Sequence, residues 1–263
     1  MSSSLGTPDA VLRPSQAAQA ITIERVPASP EFAACVDYLW YVGWRTAAPH
    51  EQQVVPQPRI HMAVEDGRLL VHGVSREPFL RTVTGTGHTL GVAFHAGGFR
   101  PFLRRAVGTL CGAVVPAAEV FGVDDRPSAE QVAAARDVPV MVHALQSYLL
   151  SLEPEPDPVV EEVRALVDVA ESDHGLNRAE DLAARASMSL RSLQRLFTEY
   201  VGIGPKWVVS RFRILDAAAA AHGGEPVDWA RLATDLGFSD QAHLTRAFTS
   251  VVGTPPATYQ REA

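Results

Sequence analysis

An internal repeat near the C-terminus constrains this chain more than any other feature. Leu193-Gln194-Arg195-Leu196-Phe197 recurs as Leu244-Thr245-Arg246-Ala247-Phe248, 51 positions later, and Gly202 and Pro205 recur as Gly253 and Pro256. Upstream, Leu182-Ala183 recurs as Leu232-Ala233 at a displacement of 50, so the second copy carries one extra residue at its turn. Self-similarity of this kind means that one supersecondary unit is used twice.

Each copy reads as helix, tight turn, helix. In the first, Ala179–Ala186 forms a short helix, Ser187-Met188 the turn, and Ser189 caps the next helix with its hydroxyl. In the second, Asp228–Asp235 is the short helix, Gly237 makes the turn and Ser239 is the expected cap. This is the layout of a helix-turn-helix DNA reader. At 100° per residue, Leu193, Leu196, Phe197 and Tyr200 share one side of the second helix, as do Leu244, Phe248 and Val251 in the other copy. Arg191, Arg195 and Thr198 lie opposite, and Ala242, Arg246 and Thr249 hold the same sector, with Thr245 beside them and Gln241 in the first turn. Arginine reads guanine, glutamine reads adenine, and alanine or threonine meets the thymine methyl. Arg191, Arg195, Thr198, Gln241, Ala242, Thr245 and Arg246 are therefore the candidate DNA-binding residues.

The connection between the copies, Lys206–His222, has no internal glycine or proline, with Pro205 before it and Gly223-Gly224 after it. It reads as one helix of roughly 26 Å, long enough to hold two readers in successive major grooves. Trp207 and Trp229 are expected as apolar anchors. Asp157-Pro158 opens a support helix that ends near Gly175. Residues 185–213 hold five arginines and Lys206 against Glu199 alone, a net +5. Arg211, Arg213 and Lys206 lie off the reading sectors and are assigned to phosphate contacts or to pairing within the domain.

The first half has a different texture. From Ile21 to about Phe94, short β-branched and aromatic runs are separated by Gly, Pro and Asp66-Gly67, which suggests an antiparallel sandwich or barrel. A short helix is expected at Pro101–Ala106, and a helical stretch at 128–150, capped by Ser128 and split by Pro139. The apolar Val138–Leu152 either packs on the β-region or pairs with a second copy. Ser151–Pro158, SLEPEPDP, is a stiff solvated linker. The chain thus divides into a β-rich domain at 19–152, a linker at 153–157 and a helical domain at 158–263, with residues 1–18 expected to fray. The fold class is α+β: a β-rich domain with flanking helices, then an all-α domain with two helix-turn-helix motifs.

The net charge of −7 excludes a uniformly basic nucleic-acid coat but not a local patch. Cys35 and Cys111 are too few and too far apart for a disulfide framework or a zinc finger. No signal peptide or membrane span is legible, so a cytoplasmic protein is expected.

Residues 158–263 resemble the seven-helix DNA-binding domain of the AraC/XylS transcription regulators. LATDLGFSDQAHLTRAFTSVVGTPPATY is similar to that family's signature, and LAARASMSLRSLQRLFTEYVGIGPKWV follows the same pattern. The resemblance implies an asymmetric DNA site bound through two recognition helices, with Arg191, Arg195, Gln241, Ala242, Thr245 and Arg246 at base edges. VVPQPRIHMAVEDG, LGVAFHAGGFRPFLRRAVGTL and VVPAAEVFG are similar to a β-rich sensor domain found ahead of such readers, and in the wider family that domain is a cupin-like barrel.

The expected function is a sequence-specific transcription regulator, controlled by an effector or by dimerisation, and not an enzyme. The alternative is a cupin-type metalloenzyme fused to a DNA reader. His50, His61, His72, His88 and His95 crowd the β-region, but without the close His-x-His pair of such sites, so no metal and no cofactor is expected. Trp40, Tyr41, Trp44 and Phe94 either line an effector pocket or form core. Double-stranded DNA is the expected partner. A small-molecule effector, RNA polymerase and a second copy of the chain are further candidates; a membrane is not.

Overall fold

A computed structural model describes residues 20–222 and 226–262. The expected fraying of residues 1–18 and the Gly223-Gly224 stop lie outside the described residues. The first half is one antiparallel sheet of six strands: β1 (Ile21–Pro27), β2 (Val36–Val54), β3 (His61–Glu65), β4 (Arg68–His72), β5 (Phe79–Phe94) and β6 (Val114–Pro116), in the order β1-β2-β5-β3-β4-β6. Asp66 and Gly67 both take positive φ between β3 and β4, the backbone that a two-residue hairpin turn requires.

The even run of short strands does not hold for the centre of the sheet. β2 and β5 are 19 and 16 residues long and pair along most of their length. Pro49 does not end β2, because the register shifts between Thr46 and His50; a proline is tolerated where a bulge already breaks the ladder.

Ten helices follow among the described residues. The first three are α1 (Ala117–Phe121), α2 (Arg126–Ala134) and α3 (Val138–Ser151). Pro139 sits in the first turn of α3, so the expected split is observed, whereas Ser128 lies inside α2 and the N-cap position is Asp125. Residues 101–106 form turns and bends rather than the expected helix, with isolated turn hydrogen bonds from Phe102 and Leu103 N–H to the Phe99 carbonyl, and the next helical element is a 3-10 turn at Val107–Leu110. Met141, Ala144, Leu145, Tyr148 and Leu149 bury one side of α3 in the core.

The remaining helices are α4 (Val159–Ser172), α5 (Ala179–Arg185), α6 (Leu190–Tyr200), α7 (Pro205–Ala221), α8 (Trp229–Asp235), α9 (Gln241–Val252) and α10 (Pro256–Glu262). The core ignores the linker. One apolar cluster runs from Leu39, Val92 and Phe94 of the sheet to Leu193 and Phe197 of α6 and Val208 and Phe212 of α7. A second joins Ile214, Ala217 and Ala221 of α7 to Trp229, Leu244, Phe248 and Tyr259, and takes in Val55 from the loop after β2.

The two helix-turn-helix units repeat hydrogen bond for hydrogen bond. After α5, Met188 N–H donates to the Ala183 carbonyl (2.9 Å) and Ser187 N–H to Ala184 (3.0 Å); after α8, Phe238 N–H donates to Ala233 (2.9 Å) and Gly237 N–H to Thr234 (3.0 Å). This pairing closes a helix through one residue in the left-handed region. That residue is Ser187 (φ +52°) in the first copy and Gly237 (φ +76°) in the second.

The carboxylate of Asp125 is fully buried at the start of α2 and accepts from the Arg68 guanidinium (2.8–3.2 Å) and from the Leu69 N–H (2.6 Å). Burial pushes this carboxyl up, but the hydrogen bonds and charge of Arg68 and the Leu69 N–H outweigh it and leave it below the usual carboxylate range. Its stabilising contribution is therefore complete above about pH 4 and is lost as pH falls toward the depressed folded value.

Asp125→Asn is expected to lower the melting temperature by several degrees at neutral pH, with the gap narrowing in acid. An equal gap at about pH 7 and about pH 2.5 would assign the loss to packing instead. The turns give a second expectation. Ser187→Gly relieves a left-handed serine and should stabilise by about 0.5–1 kcal/mol. Gly237→Ala should destabilise by more than about 1 kcal/mol, since its Cβ would also come within 2.4 Å of Asn177 Cβ. Denaturant titration of both variants checks the pair; a destabilised Ser187→Gly would contradict the turn geometry.

Candidate nucleic-acid interface

The repeat extends to the helices that would read DNA. Ser189 caps α6, its hydroxyl accepting from Ser192 N–H at 3.1 Å. The equivalent cap on α9 is Asp240, whose carboxylate accepts from His243 N–H at 2.6 Å. Ser239, the cap expected from sequence, is the extra residue of the turn, and its hydroxyl reaches Asp240 and His243 instead. Asp240 wins because it stands 51 positions after Ser189 and carries a charged acceptor; the His243 N–H bond holds its carboxyl below the usual range.

Leu193 and Phe197 of α6, and Leu244 and Phe248 of α9, are buried inward. On the opposite side Arg191, Arg195 and Thr198 are exposed, as are Gln241, Ala242 and Arg246; Thr245 is half-buried. Thr198 donates its hydroxyl to the Gln194 carbonyl (2.9 Å), and Thr249 donates to that of Thr245 (2.7 Å), again 51 positions on. Among the described residues Arg191, Arg195 and Arg246 have no ion-pair partner, so three guanidiniums with fixed forks of donors stand free on the two faces. Gln194 is also exposed beside Arg195. It was not among the residues picked from sequence, although the repeat pairs it with Thr245, and applying the displacement of 51 to every picked position would have found it.

The basic patch is thinner than the sequence suggests. Arg211 and Arg213 are 3% and 1% exposed and cannot meet phosphate. The Arg213 guanidinium donates to Asp216 (2.8 Å) and to the carbonyl of Ala170 (2.5 Å) in the last turn of α4. Arg211 donates to the Arg76 carbonyl (3.1 Å) and lies 4.5 Å from the Trp207 ring centroid; burial pulls its pKa down to about 10. Of the two assignments open from sequence, pairing within the domain holds for Arg213, whereas the hydrogen bond of Arg211 crosses to Arg76 of the β-domain. Lys206 is exposed at the start of α7, while Arg185 is paired with Asp173.

The β-domain touches α6 directly. Arg100 Nε donates to Glu199 of α6 at 2.9 Å, and its guanidinium lies 5.8 Å from the Tyr200 ring centroid. Tyr200 donates its hydroxyl to Asp157 at 2.8 Å; burial, then this bond, pushes its pKa up to about 12. The 3-10 turn at Val107–Leu110 lies against the end of α6, where a Cβ on Gly108 would come within 3.0 Å of Thr198.

Two histidines of the β-region have separate close partners. His88 Nε2 is 3.0 Å from the Val132 carbonyl, and His72 is 3.0 Å from Glu65. His61 is half-buried; loss of solvent, with Arg59 and His72 beside it, pulls its pKa down to about 3.

Residues 24–116 match a family described as a domain of unknown function (DUF6597), and residues 182–262 match a helix-turn-helix domain family. A Streptomyces lividans protein named as an AraC-like transcription regulator is 32% identical over 119 residues, which are 45% of this chain and 37% of that protein's length. Among solved structures, ToxT from Vibrio cholerae is 12% identical, with 92% of this chain and 98% of that chain covered and a TM-score of 0.39. Unsaturated fatty acid-bound ToxT from the same organism gives 12% identity, 91% and 94% coverage and the same TM-score. With two helix-turn-helix units in register, the C-terminal part of the chain, residues 182–262, matches a helix-turn-helix domain family, and the chain is similar over less than half its length to a protein named as an AraC-like transcription regulator.

Proposed function

We propose that this protein is a sequence-specific, DNA-binding transcription regulator that sets α6 and α9 in two successive major grooves of one asymmetric site. The observation that carries this reading is the set of unpaired arginines at equivalent places on two matching units joined by a single helix. At about 1.5 Å per residue, the 17 residues of α7 span roughly 26 Å, short enough to keep both units on one face of the duplex. Arg195 and Arg246 are assigned to guanine edges. Arg191, Gln194 and Thr198 complete the first reading face, and Gln241, Ala242 and Thr245 the second.

On this reading the chain works as a regulatory domain at 19–152, a linker at 153–157 and a DNA-binding domain at 158–263. The first half controls the readers through an effector. Two clefts are open to such a molecule. One of about 350 Å³ lies between the β-domain and α4, with Asp37, Arg59, His95, Arg164 and Asp168 on its walls. The other, of about 650 Å³, is lined by Tyr41, Trp44, Gly87 and His88. Phe94, by contrast, is core. Dimerisation through α3 loses most of its motive, since that helix leaves only Val140 and Leu150 as large exposed apolar side chains.

Arg195→Ala and Arg246→Ala are each expected to weaken specific binding by about 1–3 kcal/mol and to relax base choice at one position. The two relaxed positions should lie about one helical turn apart. Selection of bound sequences from a random duplex pool, repeated with each variant, reads both effects. Unchanged affinity and unchanged base choice in both variants would remove the assigned reading faces.

A further inference from the structure

We propose that the β-domain adds a DNA contact of its own: the loop that ends in the 3-10 turn carries Arg105 to the phosphate backbone beyond the end of the first reading helix. This rests on the DNA-binding reading above and extends it to a domain to which that reading assigns no contact with DNA.

The placement comes first. Val107 and Gly108 are pressed onto the C-terminal end of α6. A Cβ on Gly202 would come within 3.0 Å of Val107 Cγ1, and a Cβ on Gly108 within 3.0 Å of Thr198 Cγ2. Thr198 is the last residue of the reading face, so the turn continues that face past the end of the helix. A recognition helix lying in the major groove meets the sugar-phosphate wall where it leaves the groove.

Rigidity comes second. Arg100 grips Glu199, so the loop moves with α6. Within the loop Arg105 N–H donates to the Leu103 carbonyl at 2.6 Å, and Thr109 donates its hydroxyl to the Ala106 carbonyl at 2.7 Å. The backbone under Arg105 is therefore fixed relative to the reader, which lowers the ordering cost of a contact made by its side chain.

Charge comes third. Three arginines lie in this stretch, and two are in use: Arg100 on Glu199 and Arg104 on Glu155 at 3.2 Å. Arg105 is exposed and has no side-chain partner among the described residues. With Arg211 and Arg213 buried, the first unit keeps fewer cations for phosphate than its sequence suggests, Lys206 and Arg178 among those exposed. A chain of net charge −7 gains nothing from its long-range field, so each such contact has to be supplied locally.

The test uses the full chain, a duplex carrying its selected site and a duplex of random sequence, across about 50 to 200 mM salt. Arg105→Gln should weaken both duplexes by the same factor and lower the log–log salt slope by about 0.9. The fall in affinity over that salt range then becomes roughly threefold smaller. Arg105→Lys should keep the slope. Arg126→Gln removes an equally exposed charge far along the chain and should leave the slope unchanged.

A parental slope in Arg105→Gln overturns the proposal, as does an equal fall in Arg126→Gln, which would mean bulk charge. Tighter binding by Arg105→Gln also overturns it, because the turn would then obstruct DNA. If Arg195→Ala loses base choice while Arg105→Gln changes nothing, the readers stand and this contact alone falls. If the parent chain selects no sequence, both readings fall together.

Discussion

The arrangement of the two helix-turn-helix units depends on α7 being buried on both sides. Val208, Val209 and Phe212 belong to the first apolar cluster, while Ile214, Ala217, Ala218 and Ala221 belong to the second. A helix enclosed this way cannot bend without opening a core, so the spacing of α6 and α9 is fixed by packing rather than by helix propensity. Arg213 strengthens the joint. Its guanidinium replaces its lost hydration with Asp216 and with the Ala170 carbonyl in the last turn of α4, where a helix favours a cation. One side chain ties two helices directly, α4 that supports and α7 that spans.

The same burial ties the readers to the sheet. The apolar cluster passes from the sheet into α6 without a break, and the Arg100–Glu199 pair and the 3-10 turn add directional contacts. The second unit is held by less. Val55 enters its core, and Gln53 reaches the Val252 carbonyl at 3.4 Å. On the proposed reading, a shift at the ends of β2 and β5 would reach both helix-turn-helix units, through different contacts. That is a physical route by which the first half can bias the second.

Sequence made the C-terminal half legible because its rules are local. Helix faces, caps and left-handed turn residues leave marks within a few positions, and the repeat showed each mark twice. Even the misplaced cap was recoverable, since Asp240, not Ser239, stands 51 positions after Ser189. The sheet was less legible because its rules are not local. The continuity of β2 through Pro49 depends on a register shift against β5, which no window around Pro49 contains. The linker misled in a related way. Its prolines mark a break in secondary structure, yet apolar contacts on either side of it merge into one core, and such contacts join residues distant in sequence.

Arginine is where composition and structure part most clearly. The chain has 22 arginines and one lysine, which invites the thought that arginines mark nucleic-acid contacts. Most of those near the readers answer to something inside the protein: Arg100 to Glu199, Arg185 to Asp173, Arg213 to Asp216 and a helix end, Arg211 to a carbonyl and an indole. The planar fork that suits phosphate and guanine suits carbonyls and carboxylates equally well, so residue type alone cannot separate the uses. Partner accounting can. An arginine buried among its partners, as Arg211 and Arg213 are, is held by the fold, and drawing it to DNA would leave an inner acceptor unpaired. An exposed arginine with no internal partner, repeated at the same place on two matching helices, has its donors still to satisfy. In this molecule that condition selects Arg195 and Arg246, and it does so independently of any likeness to other proteins.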